Sequence, residues 1–123
     1  MSYELTMTQE DDYLHVEAVG TRTFESVVAI TLEIAQVCIR ENTTHVLVDV
    51  RGLEGRLGTL EAFEIPTDVF AEVKDRSMIY KCAVVDLEEF EESYRFFEDV
   101  AVNRAYNLRI FSQTRDAVTW LAE

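Results

Sequence analysis

The chain has 123 residues, of which 48% are hydrophobic, and 24 acidic residues against 11 basic ones give a formal net charge of −13. Such a charge repels nucleic-acid phosphates and anionic headgroups, which argues against a duplex reader or a basic membrane-binding helix. No apolar run approaches the roughly 20 residues that span a bilayer, so no stable membrane insertion is expected. The amino-terminal stretch lacks the basic-then-apolar pattern of a signal peptide.

Two early runs alternate. Tyr3, Leu5 and Met7 share one face of the first, and Leu14, Val16 and Ala18 share one face of the second. With the short polar join QEDD between them, they predict an antiparallel hairpin of half-buried strands. A helix follows over Thr23 to Arg40, with Thr23 as N-cap and an apolar stripe through Phe24, Val27, Ile34 and Cys38. The run HVLVDV, from His45 to Val50, is short, β-branched and apolar on both faces, as a central strand of a parallel sheet is.

Three of the four glycines come next, at 52, 55 and 58. A helix then opens, with Thr59 as its expected N-cap, and Pro66 is expected to interrupt it. A second helical piece runs from Thr67 to about Asp75. Tyr80 to Asp86 reads as another buried strand, and Glu88 to Ala105 as a helix with Phe90, Tyr94, Phe97 and Ala101 on one stripe. Asn107 to Phe111 is the last strand. Thr114 should cap a closing helix that docks Ala117, Trp120 and Leu121.

The order is ββαβαβαβα. It predicts an α/β fold in a single domain, residues 1–123, whose mostly parallel five-stranded sheet carries an antiparallel N-terminal strand. Ligands of such folds meet the carboxyl ends of the strands, which here means the loops after Asp49, Asp86 and Phe111.

The sequence offers little catalytic chemistry. His15 and His45 are the two histidines, and neither is expected near a nucleophile at the favoured crevice. Cys38 and Cys82 form no CxxC and read as buried free thiols of a cytoplasmic protein. No metal-ligand spacing occurs, and neither a metal nor an organic cofactor is expected. Asp49 and Asp86 end buried strands, where such acids most often bind backbone amides of the next turn. The stretch RGLEGRLGT is neither a P-loop nor a GxGxxG motif. It does bring Arg51 and Arg56 to flexible backbone at a helix start, and these arginines would otherwise pair with Glu54 and Glu61.

The ordered series HVLVDVRGLEG, KCAVVD and FFEDVAVNRAYNLRIFSQTRDAVTWL resembles the SpoIIAA-like proteins of the wider STAS group, named for sulfate transporters and anti-sigma-factor antagonists. The resemblance is sharpest from Leu47 to Leu121. It implies a SpoIIAA-like fold and a regulatory, protein-binding role in place of catalysis. Anti-sigma-factor antagonists carry an Asp-Ser-Ser-Gly loop whose serine is phosphorylated. Asp49 and Gly52 look like the strand-end aspartate and glycine of that pattern, but no Asp-Ser pair follows, and the nearest hydroxyl is Thr59.

Two functional readings follow. The first is a non-catalytic interaction module that meets an unknown protein partner through Asp49, Arg51, Leu53, Arg56, Leu57 and Thr59. The second, implied by kinship of the fold with CRAL-TRIO domains, is a binder of a small apolar or lipid-like ligand enclosed by Phe63, Phe70, Phe90, Tyr94 and Phe97. A cavity would favour the second reading, and a solid core beneath an exposed apolar patch the first. Strands apolar on both faces also predict a homodimer that covers a bare part of the sheet.

Overall fold

The computed structural model describes residues 2–74 and 79–123. Strands β1 (Tyr3–Gln9) and β2 (Leu14–Thr21) form the expected antiparallel hairpin, with Leu5 opposite Ala18 and Met7 opposite Val16. Helix α1 (Phe24–Glu41) is capped reciprocally. The Ser26 N–H donates to Thr23 Oγ1 at 3.0 Å, and the Thr23 N–H donates to Ser26 Oγ at 2.9 Å. The helix stops where Asn42 turns left-handed, with φ of 54°.

Strand β3 (His45–Glu54) runs past its expected end at Val50. Gly52 is therefore a strand residue. A Cβ there would lie 2.7 Å from Val19 Cγ1, beside the register shift that β2 makes between Glu17 and Val19. Gly55, with φ of +96°, makes the turn itself.

Helix α2 (Thr59–Glu64) continues without a break through a wide π-helical turn, Ile65–Val69, into α3 (Phe70–Val73). Pro66 was expected to interrupt this segment. The wide turn accommodates it: the Phe70 N–H reaches back to the Ile65 carbonyl, a five-residue span that makes room for the ring. Asp75, the expected end of this segment, lies outside the described residues. Strand β4 (Lys81–Val85), a 3₁₀ turn (Glu88–Phe90), α4 (Glu91–Asn103), β5 (Leu108–Phe111) and α5 (Thr114–Leu121) complete the order.

The sheet runs β1-β2-β3-β4-β5, parallel except for β1. On one face, Val16, Val46 and Val48 meet Ile30, Ile34 and Cys38 of α1, while Leu108 and Ile110 meet Tyr94 and Ala101 of α4. On the other face, Leu47, Ala83 and Val85 are covered by Ala117, Trp120 and Leu121 of α5. The rest of that face, along β1 and β2, is mostly polar: Glu4, Thr6, His15 and Glu17 stand there beside one exposed apolar residue, Val19. The expected bare apolar part of the sheet is thus small, Val19 among polar neighbours.

The open edge of β5 is closed by side chains. Glu98 Oε2 accepts the Ile110 N–H at 2.7 Å, and Arg95 Nη1 donates to the Ile110 carbonyl at 3.0 Å. At the amino end of β4, Lys81 Nζ donates to the Trp120 and Glu123 carbonyls and so ties down the end of α5.

Candidate functional site

Between the sheet and the layer formed by α1, α3 and α4 lies a cavity of about 540 Å³. Val46, Val48, Cys82 and Val84 of β3 and β4 form its floor. Ile30 and Ile34 line one side, and Phe70, Tyr94 and Phe97 the other. The rings are held against one another: Phe70 meets Phe97 edge-on at 6.1 Å and Tyr106 edge-on at 5.3 Å.

The end of the cavity at the carboxyl ends of β2, β3 and β4 is charged. Arg22 follows β2, Arg56 lies in the loop after β3, and Asp86 follows β4. Arg56 Nη1 donates to Asp86 Oδ2 at 2.9 Å and to Oδ1 at 3.1 Å. Arg22 approaches both carboxylate oxygens at 3.4 Å and donates to the Val50 carbonyl at 3.1 Å. The Leu87 N–H completes the shell of Asp86 at 2.8 Å. Burial pushes the Arg22 guanidinium below its ordinary pKa, against the pull of Asp86. The Nε–H groups of Arg22 and Arg56 are buried without a partner, a condition that ordinarily costs about 1–3 kcal/mol per group.

The charge of the cavity is opposite to that of the chain. Among the described residues its charged lining comprises Arg22, Arg56, Lys74 and Arg104 against Asp86, four positive minus one negative or +3, in a chain of −13. Lys74 lies over Tyr106 and Arg104 over Phe63.

Of the residues expected to meet a partner, Asp49 and Arg51 form a bidentate pair with bonds of 3.0 and 2.8 Å. Arg51 also donates to Thr114 Oγ1 and so links β3 to the start of α5. Burial pushes the Asp49 carboxyl up, but the side-chain and backbone hydrogen bonds from Arg51 outweigh this and leave it below the ordinary carboxylate value. The expected pairing of Arg51 and Arg56 with Glu54 and Glu61 does not form, because Asp49 and Asp86 are the nearer, less solvated acids.

Leu53 is buried in the core beside Val48 and is not a surface residue. Leu57 is half-buried and lines the cavity mouth with Arg56. Thr59 is exposed but is not a cap. It is the first helical residue, Gly58 is the N-cap, and the Gly58 N–H is held by Glu61 Oε1 at 3.1 Å. Thr114 is likewise the first helical residue after Gln113.

Of the aromatic residues expected around a ligand, Phe70, Tyr94 and Phe97 line the cavity. Phe63 and Phe90 lie outside it. Phe63 is on the exposed side of α2 beneath Arg104, and Phe90 packs under the Arg56 guanidinium at 4.4 Å. Sequence reasoning missed Arg22 altogether. Its position directly after β2, at the carboxyl end of a parallel strand, was the available signal.

Neither histidine lines the cavity. Burial pushes the Cys38 thiol up to about 11 and the Cys82 thiol up to about 12, so both are protonated and poor nucleophiles at neutral pH. Among the described residues no cluster is arranged to hold a metal ion, and no helix is long and apolar enough to cross a membrane.

No family model matches the sequence, and no curated protein matches it significantly. Solved structures show a likeness of fold. An anti-sigma factor antagonist from Mycobacterium paratuberculosis superposes with a TM-score of 0.64 at 16% identity, over 99% of this chain and 96% of that one. A DUF3478-family protein with a SpoIIAA-like fold from Shewanella loihica superposes with a TM-score of 0.59 at 22% identity, over 98% of this chain and 94% of that one. The chain has the SpoIIAA-like fold. Within this SpoIIAA-like architecture, the Arg22–Asp86–Arg56 cluster sits on the strand-end rim and faces the interior.

Proposed function

We propose that the chain is a non-catalytic binding module of the SpoIIAA-like type, and that it takes a small apolar or amphipathic molecule into its interior. The cavity carries this reading. At about 540 Å³ it falls within the roughly 300–1,000 Å³ of small-molecule sites, and it has their composition, apolar walls with a few convergent polar groups. The two free thiols suit a reducing compartment, so we place the module in the cytoplasm.

A second reading is favoured by the exposure of Leu60 (68%) and Phe63 (38%) on α2. In it, the segment from Asp49 to Thr59 and the adjoining helix meet a protein partner, with Arg51, Leu57 and Thr59 at the contact. Its regulatory character comes from the fold it shares with the anti-sigma factor antagonist. Self-association into a two-fold dimer belongs to this surface reading, and a monomeric mass by light scattering would remove it.

The cavity is tested with the neutral fluorophore N-phenylnaphthylamine and with native mass spectrometry of the freshly purified protein. Ala35, on the cavity wall, is replaced by phenylalanine to fill the space. The wild type should bind the fluorophore or carry excess mass, and Ala35→Phe should lose both. A wild type that shows neither, or a filled variant that binds as well, would overturn the reading.

A further inference from the structure

We infer that the molecule this cavity takes is an amphipathic carboxylate, whose acid group sits against Arg22 and Arg56 while its apolar part lies between α1, α4 and the sheet. The inference rests on the cavity reading and adds the chemistry of the ligand. Three observations carry it.

The first is charge. Arg22, Arg56 and Asp86 sum to two positive minus one negative, or +1, at the rim where strands β2, β3 and β4 end. A monoanion neutralises that charge, whereas a phosphomonoester dianion would overshoot it and a neutral head would leave it standing. The surroundings point the same way, since Asp86 is the single acid among the described cavity lining, which also includes Lys74 and Arg104. A cationic interior inside a chain of −13 concentrates anions by field focusing.

The second is unused hydrogen-bonding capacity. Asp86 occupies both terminal nitrogens of Arg22 and Nη1 of Arg56, and Arg56 Nη2 reaches Ser93 Oγ at 3.4 Å, but the Nε–H of each guanidinium is buried and unpartnered. A second carboxylate is the group that satisfies guanidinium donors in a planar arrangement. The third is polarity along the cavity. The arginine end gives way to Val46, Val48, Ile34 and Phe97, with no comparable donors between. That is the profile of a molecule with one charged head and one apolar body.

The test uses displacement of N-phenylnaphthylamine by three probes with the same tail: decanoate, decanol and decyl phosphate, each below its aggregation concentration. On the wild type, decanoate should displace the fluorophore at roughly 10- to 100-fold lower concentration than decanol, the range given by a hydrogen bond to a charged group. Decyl phosphate should fall between them. In Arg56→Met, which replaces the guanidinium with an apolar side chain and takes the head site to zero net charge, the concentrations of decanoate and decanol needed for displacement should become about equal. The wild-type head-group series needs no variant, so it decides the matter even if Arg56→Met is unstable. Fluorophore binding with no preference among heads, or a preference for decyl phosphate, would overturn the carboxylate inference and leave the cavity reading standing. No fluorophore binding at all would overturn both.

Discussion

Replacing Asp86 with asparagine tests the arginine cluster directly, because the side chain keeps its shape and loses its charge. Asp86 is 3% exposed, against 11% for Arg22 and 22% for Arg56. In the variant, two guanidiniums face each other largely out of water. Removing one partner of a buried ion pair costs about 3–5 kcal/mol. The partial exposure of Arg56 places this case near the low end, about 3 kcal/mol, and the asparagine oxygen can still accept the Leu87 N–H. At roughly 3–5 °C per kcal/mol for a chain of this length, the melting temperature should fall by roughly 10 °C. Urea denaturation of the wild type, Asp86→Asn, Arg56→Met and the double variant measures the coupling. The double variant should be more stable than the sum of the single losses by about 1 kcal/mol or more, since removing Arg56 relieves the repulsion. A loss from Asp86→Asn below about 1 kcal/mol, the range of exposed pairs, would refute the treatment of this cluster as buried.

Thr59→Ala should change stability by less than about 0.5 kcal/mol in the same assay, because Gly58 is the cap, whereas Thr23→Ala should cost about 0.5–2 kcal/mol. Ellman's reagent at neutral pH should label Cys38, which is fully buried and whose thiol burial pushes up to about 11, only after denaturation; prompt labelling of Cys38 in the native protein would contradict this. The depressed Asp49 carboxyl makes Arg51 a pH-dependent stabiliser. Its contribution is complete above the unfolded carboxylate pKa of about 3.9 and is lost as pH falls through the lower folded value. The stability gap between wild type and Arg51→Met should therefore close on acidification below about pH 4, and a gap constant into strong acid would rule the linkage out.

The sheet was legible because its signals are local. Period-two alternation marks β1 and β2, and β-branched runs apolar on both faces mark β3 and β4 as interior strands. Thr23 was legible as a cap for the same reason: its partner, Ser26, stands one helical turn away. The misreadings came where one residue type serves two purposes. Gly52 looks like loop and is strand, because its lack of a side chain answers Val19 on the neighbouring strand and not a turn. Pro66 looks like a break, yet a π-helical turn absorbs it within a continuous segment. Thr59 and Thr114 look like caps, but a backbone conformation one residue earlier sets each helix start.

The site was less legible, and the reason is that its parts are distant in sequence. Arg22 and Asp86 are 64 positions apart, and Arg56 and Asp86 are 30 apart. Turn chemistry does operate at both strand-end acids, since Asp49 accepts the Arg51 N–H and Asp86 the Leu87 N–H. It accounts for only part of what each carboxylate does, because each also fixes a guanidinium that a linear reading assigns to the surface. Total charge misleads in the same way. A sum of −13 suggests an acidic molecule throughout, but four of the 11 basic residues line one cavity that holds a single acid among its described lining. Arg56 shows the consequence. As a free loop residue it would be a natural anchor for a protein partner, but an arginine bound to Asp86 at 2.9 Å and stacked on Phe90 must break both contacts to reach outward.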